Sequence, residues 1–224
     1  HWAARNGYKE IFALLLEQED ADVDVADRYG KTALYLAASR GHTDIVKLLL
    51  AKGVVDSPDI DGKTALYLAA SKGRTEIVEL LLKKEDIDVD VVDIYGKTAL
   101  HWAAENGHKK IVELLLAQGA KVNLRNSSYG ETALKLAASR GHTDIVKLLL
   151  KKEDIDVDVV DIYGKTALHW AAENGHKKIV ELLLEKGAID AVDAQGRTAL
   201  QLAALWGHTE VVALLLEKGA VDKA

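Results

Sequence analysis

The chain of 224 residues contains no cysteine and no methionine. Without cysteine it has no disulfide, no thiolate metal site and no cysteine nucleophile, and the composition fits a reducing intracellular compartment such as the cytoplasm. An excess of positive charge is also missing: 29 Lys and Arg stand against 35 Asp and Glu, a net charge of −6. That balance repels a phosphate backbone, and no basic stripe compensates, so nucleic acid is not expected as a partner. Apolar runs are short, such as Leu114 to Ala117, far from the roughly twenty residues that cross a bilayer. No membrane partner is expected. What is present is 49% apolar and 29% charged residues, enough for a core and for solubility.

What is also present is repetition. The stretch "KKEDIDVDVVDIYGKTALHWAAENGHKKIVELLL" fills residues 83 to 116 and again residues 151 to 184, letter for letter. "LAASRGHTDIVKLLL" is shared by residues 36 to 50 and 136 to 150, so the copying is mosaic. The string "TAL" begins at Thr32, Thr64, Thr98, Thr132, Thr166 and Thr198, at gaps of 32, 34, 34, 34 and 32 residues. Units of this period are read as one array with approximate bounds 1–26, 27–58, 59–92, 93–126, 127–160, 161–192 and 193–224. The opening "HWAARNG" matches "HWAAENG" from His101, which makes the first unit truncated and the chain, as expected here, a fragment of a longer array. Verbatim copying suits a surface better than an active site, whose groups each need different partners.

Within a unit, Thr98 is a good N-cap, "ALHWAAEN" supplies helix formers, and Gly107 offers a left-handed stop. "HKKIVELLLAQG" then places Ile111, Val112, Leu114, Leu115 and Leu116 on one apolar arc of a second helix ending at Gly119. Segments such as "DIDVDVVDIYG" suit an extended arm and a turn. Helices this short are not stable alone, and burial of one leucine is worth about 2 kcal/mol. Three leucines per unit must therefore be covered by the helices of the next unit.

The pattern "D..GKTAL...AA..GH..IV.LLL..GA" resembles the ankyrin repeat, and the resemblance covers essentially the whole chain. It implies an all-α solenoid of about seven stacked helix-turn-helix units with projecting β-turn fingers. It also implies a scaffold that binds a partner protein through a concave face of finger tips and first-helix ends, rather than an enzyme, with no cofactor. Three departures stand out. Ala33, Ala65, Ala99, Ala133, Ala167 and Ala199 occupy the place after the capping threonine where the family usually has proline. "LLLKKED" lacks the glycine that closes "LLLAKG", which predicts a longer second helix or a looser loop at Lys84 to Asp86 and Lys152 to Asp154. Ser127 stands where other arms carry Asp27, Asp59, Asp93, Asp161 and Asp193, which predicts a differently bent finger. Neither end carries an obvious polar cap, so the chain is expected to be monomeric with ends that leave room for end-to-end association.

Several motifs have plainer readings than catalysis or metal binding. His42, His108, His142, His176 and His208 follow the glycine that ends the first helix, and His1, His101 and His169 follow its leucine. They mark register, and no HExxH pair is present. The acids at Asp86 to Asp93 would need a glycine and a glutamate where Val91 and Lys97 stand to form a calcium loop. Serines such as Ser39, Ser71 and Ser139 recur at one repeat position and do not suggest a triad. Trp2, Trp102 and Trp170 alternate with Leu36, Leu68, Leu136 and Leu202 at one first-helix position, which predicts core packing.

The candidate partner-binding residues form two rows. One is the finger row: Tyr29, Asp61, Tyr95, Tyr129, Tyr163 and Gln195, each before a glycine, and Lys31, Lys63, Lys97, Glu131, Lys165 and Arg197 after it. Tyrosine is enriched at interface hot spots. The other is the set after "AA", carried over from where the family binds partners: Arg40, Lys72, Glu105, Asn106, Arg140, Glu173, Asn174 and Trp206. Trp206, an aromatic where sibling units have polar residues, is the sharpest outlier. The expected partner is a protein of mixed charge with an apolar spot; the aspartates argue against a flat acidic one. The alternatives are an engineered or mosaic scaffold with no natural ligand, and the interaction arm of a larger enzyme or receptor.

Overall fold

A computed structural model describes residues 1–18 and 21–220. The described residues form helices and turns and no strand. In chain order the helices pair as α1 (Trp2–Asn6) with α2 (Lys9–Leu16), α3 (Ala33–Arg40) with α4 (Thr43–Ala51), and α5 (Ala65–Ser71) with α6 (Thr75–Leu81). Then follow α7 (Ala99–Glu105) with α8 (Lys109–Ala117), and α9 (Ala133–Arg140) with α10 (Thr143–Leu150). The last pairs are α11 (Ala167–Glu173) with α12 (Lys177–Glu185), and α13 (Ala199–Leu205) with α14 (Thr209–Glu217). The chain divides into two compact units, His1–Ala103 with Glu113–Ala120, and Ala104–Val112 with Lys121–Ala224. In the first, first helices pack on first helices (α1 on α3, α3 on α5) and second on second (α2 on α4, α4 on α6). The second repeats the scheme with α9 on α11 on α13 and α10 on α12 on α14. Stacked helix pairs of this kind are the architecture of a helical-repeat solenoid.

From α3 on, each first helix starts where a threonine hydroxyl accepts a backbone N–H that would otherwise be unpaired. Thr32, Thr64, Thr132 and Thr198 accept from the N–H of Tyr35, Tyr67, Lys135 and Gln201. At Thr98 and Thr166 the bond is reciprocated: the backbone N–H of the threonine donates to Nδ1 of His101 or His169 at 3.1 Å. Histidine thus fills the role that glutamate or glutamine usually plays in a capping box.

Where a histidine opens the second helix, as at α10, α12 and α14, it ties one helix pair to the one before it. Its Nε2 lies 2.9 Å from the Glu105 carbonyl at His142, 3.1 Å from the Ser139 carbonyl at His176, and 2.9 Å from the Glu173 carbonyl at His208. This is why glycine ends the first helix. Gly141 and Gly175 have φ of 78° and 74°, and a Cβ at either would sit 2.7 or 2.6 Å from the next histidine ring. Any side chain there would be strained twice, once by backbone and once by the ring.

The leucine triplets share burial unequally. From α4 on, the middle leucines, Leu49, Leu81, Leu115, Leu149, Leu183 and Leu215, are completely covered, together with apolar pairs before them such as Ile45 and Val46, whereas Leu15 of α2 is exposed. The flanking leucines are mostly half-buried, and Leu216 is exposed. Full burial of all three was too much to ask of a helix whose covered face is one arc of a 3.6-residue period.

The segments without the closing glycine do not lengthen their helices. α6 has 7 residues against 9 in α4. The chain leaves it through a turn in which the N–H groups of Lys83 and Lys84 reach the carbonyls of Leu80 and Leu81. The looser connection, rather than the longer helix, absorbs the extra residues.

Candidate interaction surface

Five fingers, at Asp27, Asp59, Asp93, Asp161 and Asp193, are turns tied by one carboxylate. Oδ1 of Asp161 accepts from the N–H of Tyr163 at 2.8 Å and of Lys165 at 2.9 Å, while the Asp161 N–H returns to the Lys165 carbonyl at 3.0 Å. Asp27, Asp59, Asp93 and Asp193 repeat the arrangement. Successive fingers are joined by single backbone bonds: Ile60 to Tyr29 and Ile94 to Asp61 in the first unit, Ile162 to Tyr129 and Ala194 to Tyr163 in the second. The finger after Arg125 differs as the sequence foretold, but its aspartate is replaced one residue earlier than alignment suggests. Asn126, not Ser127, holds the N–H groups of Tyr129 and Glu131. The Gly130 N–H accordingly reaches back four residues to Asn126 instead of three. One extra residue has been accommodated by widening the turn.

The second carboxylate oxygen of the finger aspartate receives the side chain at the third position of the preceding first helix. The Tyr67 hydroxyl donates to Oδ2 of Asp93 at 2.5 Å. In the second unit the ammonium of Lys135, 2% exposed, donates to Oδ2 of Asp161, which also accepts from Nε1 of Trp170 at 2.9 Å. Arg197 fills the same oxygen of Asp193 from within its own finger, at 3.0 and 2.9 Å. Burial, then the bond to Asp93, pushes the Tyr67 hydroxyl above its ordinary range. Burial also raises the Asp161 carboxyl, but the hydrogen bonds from Lys135, Trp170 and the Lys165 backbone outweigh it, and its pKa lies below the usual value. Burial draws the Lys135 ammonium down against the pull of Asp161. With so many donors on one carboxylate, the ionised Asp161 is the state that the geometry supports.

This latch was not recognised in the sequence, although a signal exists. Tyr35, Tyr67, His101, Lys135, His169 and Gln201 keep one register position polar, three residues after each capping threonine. All but the half-buried Gln201 are buried. A polar side chain recurring at a buried position has a partner to meet.

Above these latches lie the finger tips. Tyr29, Tyr95, Tyr129 and Tyr163 are 43%, 52%, 49% and 43% exposed, with Gln195 exposed and Asp61 half-buried among them. Tyr129 and Tyr163 stack at 6.4 Å, and Arg28 and Lys31 lie over Tyr29. The cations that follow are less open. Lys31, Lys63, Lys97 and Arg197 are half-buried and Lys165 is buried; Glu131 is half-buried and accepts from Asn126. Lys63 pairs with Asp61 at 3.1 Å. Lys97 sits 4.3 Å above Trp102, and Lys165 sits 4.5 Å above Trp170 while pairing with Glu173.

These indoles correct an expectation. Trp102 and Trp170 are half-buried rather than core, and Trp2 is 64% exposed. Leu68, Leu136 and Leu202 are buried at the same position; the longer indole projects past it to lie beneath a finger lysine. In the second unit, Tyr163, Lys165, Trp170, Gln195 and Arg197 line a cavity of about 430 Å³.

At the first-helix ends Arg40, Lys72, Asn106, Arg140, Asn174 and Trp206 are exposed, and Glu105 and Glu173 are half-buried. Lys72 donates to the Ser39 carbonyl and hydroxyl, and Arg140 pairs with Glu105 at 3.2 Å. Leu205 and Trp206 are 66% and 61% exposed side by side. No described helix is long and apolar enough to cross a membrane. The described residues hold no group of three metal-ligating side chains.

The family model for ankyrin repeats (3 copies) matches residues 1–93, 53–126, 86–161, 118–192 and 155–223. Among curated proteins, the chain is 41% identical over 58 residues to inversin of Danio rerio, covering 25% of this chain and 6% of that protein. It is 47% identical over 51 residues to BCL-6 corepressor-like protein 1 of Homo sapiens, covering 23% and 3%. It is 44% identical over 52 residues to ankyrin repeat domain-containing protein 29 of Danio rerio, covering 23% and 17%. The matched segments therefore span less than a fifth of each of these relatives.

Proposed function

The chain belongs to the ankyrin-repeat family, whose repeats generally mediate protein-protein interaction, and we propose that it binds a partner protein through its finger tips and first-helix ends. The observation that carries this reading is the division of labour within the fingers at Asp93 and Asp161. The carboxylate beneath is committed to backbone and latch bonds, while the tyrosine above stays about half exposed. A tip held this way is already ordered, so binding does not have to order it. Tyrosine contributes large contact area at low entropy cost.

A second reading, the interaction arm of a larger protein, is favoured by the small share of each relative that is matched. It leaves the mode of binding unchanged. Another relative of Ornithorhynchus anatinus, 46% identical over 50 residues, is by name a cortactin-binding protein, in keeping with an interaction role.

Tyr95→Ala and Tyr163→Ala test the proposal. Each is expected to weaken a captured partner by about 1–2 kcal/mol, measured by titration calorimetry. Thermal unfolding should move little, with at most about 1 kcal/mol lost at Tyr163, whose ring stacks on Tyr129. Unchanged affinity in both variants would remove the finger row from the interface.

A further inference from the structure

The first-helix ends of the first compact unit carry charge of one sign. α1, α3 and α5 contain no acidic residue, and Arg5, Arg40, Lys72 and Arg74, at or just beyond their ends, are all exposed. They form one patch. Arg5 and Arg40 line a single cavity of about 450 Å³ with Lys31 and Tyr29. The Lys72 ammonium reaches Ser39, the neighbour of Arg40, at 3.0 Å, and the Arg74 guanidinium lies against Gly41, which follows Arg40. Among the described residues, none of the four cations takes part in an ion pair. Partial burial, then the charges of Arg40 and Arg74, holds Lys72 below its ordinary pKa, as expected of cations gathered without a counter-charge.

The corresponding positions of the second unit are neutralised or apolar. Arg140 pairs with Glu105, Glu173 at the end of α11 pairs with the finger lysine Lys165, and Leu205 and Trp206 close α13. The aspartates of the first unit's fingers are buried or engaged by other donors. Asp59 and Asp93 are buried, Asp61 pairs with Lys63, and Asp27, the one acid lining the cavity, gives Oδ1 to two backbone N–H groups.

Resting on the protein-binding reading above, we propose that the first compact unit docks an acidic peptide segment of its partner, whose carboxylates are received by Arg5, Arg40 and Lys72 and by Arg74 beside them. Arginine forks are suited to bidentate pairing with carboxylates. A protein segment is favoured over nucleic acid because the net charge of −6 opposes an extended polyphosphate, whereas four cations within one patch match a few side chains.

The test is panning a displayed library of random twelve-residue peptides on the whole chain. Enriched clones should be rich in Asp and Glu. Their affinity should fall roughly tenfold or more when Arg40→Glu and Lys72→Glu are combined, since like charges then face each other, and it should weaken as salt rises. Arg40→Gln with Lys72→Gln should give a smaller loss in the same direction. Lys52→Glu, exposed at the end of α4 opposite to Gly41 and the patch, should leave affinity within about twofold because an exposed charge acts weakly at distance. Unchanged helical circular dichroism in the variants assigns the loss to charge. Clones that are not acid-rich, or that survive the reversal, overturn this inference and leave the binding reading standing. A random single-stranded RNA pool that binds more tightly than the acid-rich clones also overturns it. Enrichment of nothing beyond an unrelated helical control overturns both.

Discussion

Residues 83–116 and 151–184 are the same thirty-four letters, yet their side chains are bonded differently. In the first copy Asp93 receives the Tyr67 hydroxyl, and Trp102 stands edge-on to that ring at 6.1 Å with Nε1 buried and unpartnered. In the second copy Asp161 receives the Lys135 ammonium and Nε1 of Trp170 as well. The two tryptophans have the same neighbours in sequence. What differs is the preceding helix pair, which presents a phenol to one and an ammonium to the other. A bulky phenol occupies the space beside the carboxylate with its ring. The slim lysine stem leaves room for the indole to reach the same oxygen, Oδ2. The bonding of a repeat is therefore set partly by the unit it stacks on.

Exchanging the two latches is the strongest way to break the contrast. Lys135→Ala strands a buried carboxylate and should cost about 3 kcal/mol in urea unfolding. Lys135→Tyr restores the donor seen at Tyr67 and should recover most of that loss. A cost for Lys135→Tyr equal to that of Lys135→Ala would mean that the phenol cannot enter this site.

A smaller effect is expected where the copies are locally alike. Thr98→Ala and Thr166→Ala each remove a cap whose partner is a histidine, and each should cost about 1 kcal/mol. Equal losses would show that capping is local; unequal ones would extend the influence of the preceding unit to the helix start.

The smallest effect concerns pH. His169 is buried with Nε2 unpartnered, and burial lowers its pKa despite the nearby Asp193 charge. A base whose folded pKa is depressed contributes stability above the unfolded value of about 6.5, and that stability is lost as pH falls below it. The unfolding free energy should therefore decline between pH 7 and 5. His169→Gln, which keeps the side-chain acceptor that Gln201 supplies to Thr198, should flatten the decline. An unaltered decline would assign it to other groups.

Much of this was legible because it is local. The threonine caps, the left-handed glycines and the second-helix apolar arc follow from residue type and spacing, and the structure shows all three. His42, His142, His176 and His208 bond to carbonyls of the preceding helix pair, and His101 and His169 bond to their capping threonines, in keeping with the fixed place of each in its repeat. Less legible were features that depend on which residue faces which. Counting back from "TAL" pointed to Ser127, but the hydrogen-bond pattern selects Asn126, since a turn can widen by one residue without moving its ends. The indoles alternate with leucine in sequence, yet they reach out under lysines because the position lies at the rim of the buried face. Lys165 carries the charge of a surface tip, but Glu173 and Trp170 enclose it.

The sequence alone determined the unit, its caps and stops, its period and hence the stacking of helix pairs, because these depend on interactions within a few residues and on the need to cover leucine. Tertiary structure alone decided the partner of each buried polar group and which cations remain unpaired. A buried donor or acceptor must be satisfied by whatever the neighbouring unit presents, and two identical stretches with different neighbours satisfy it differently.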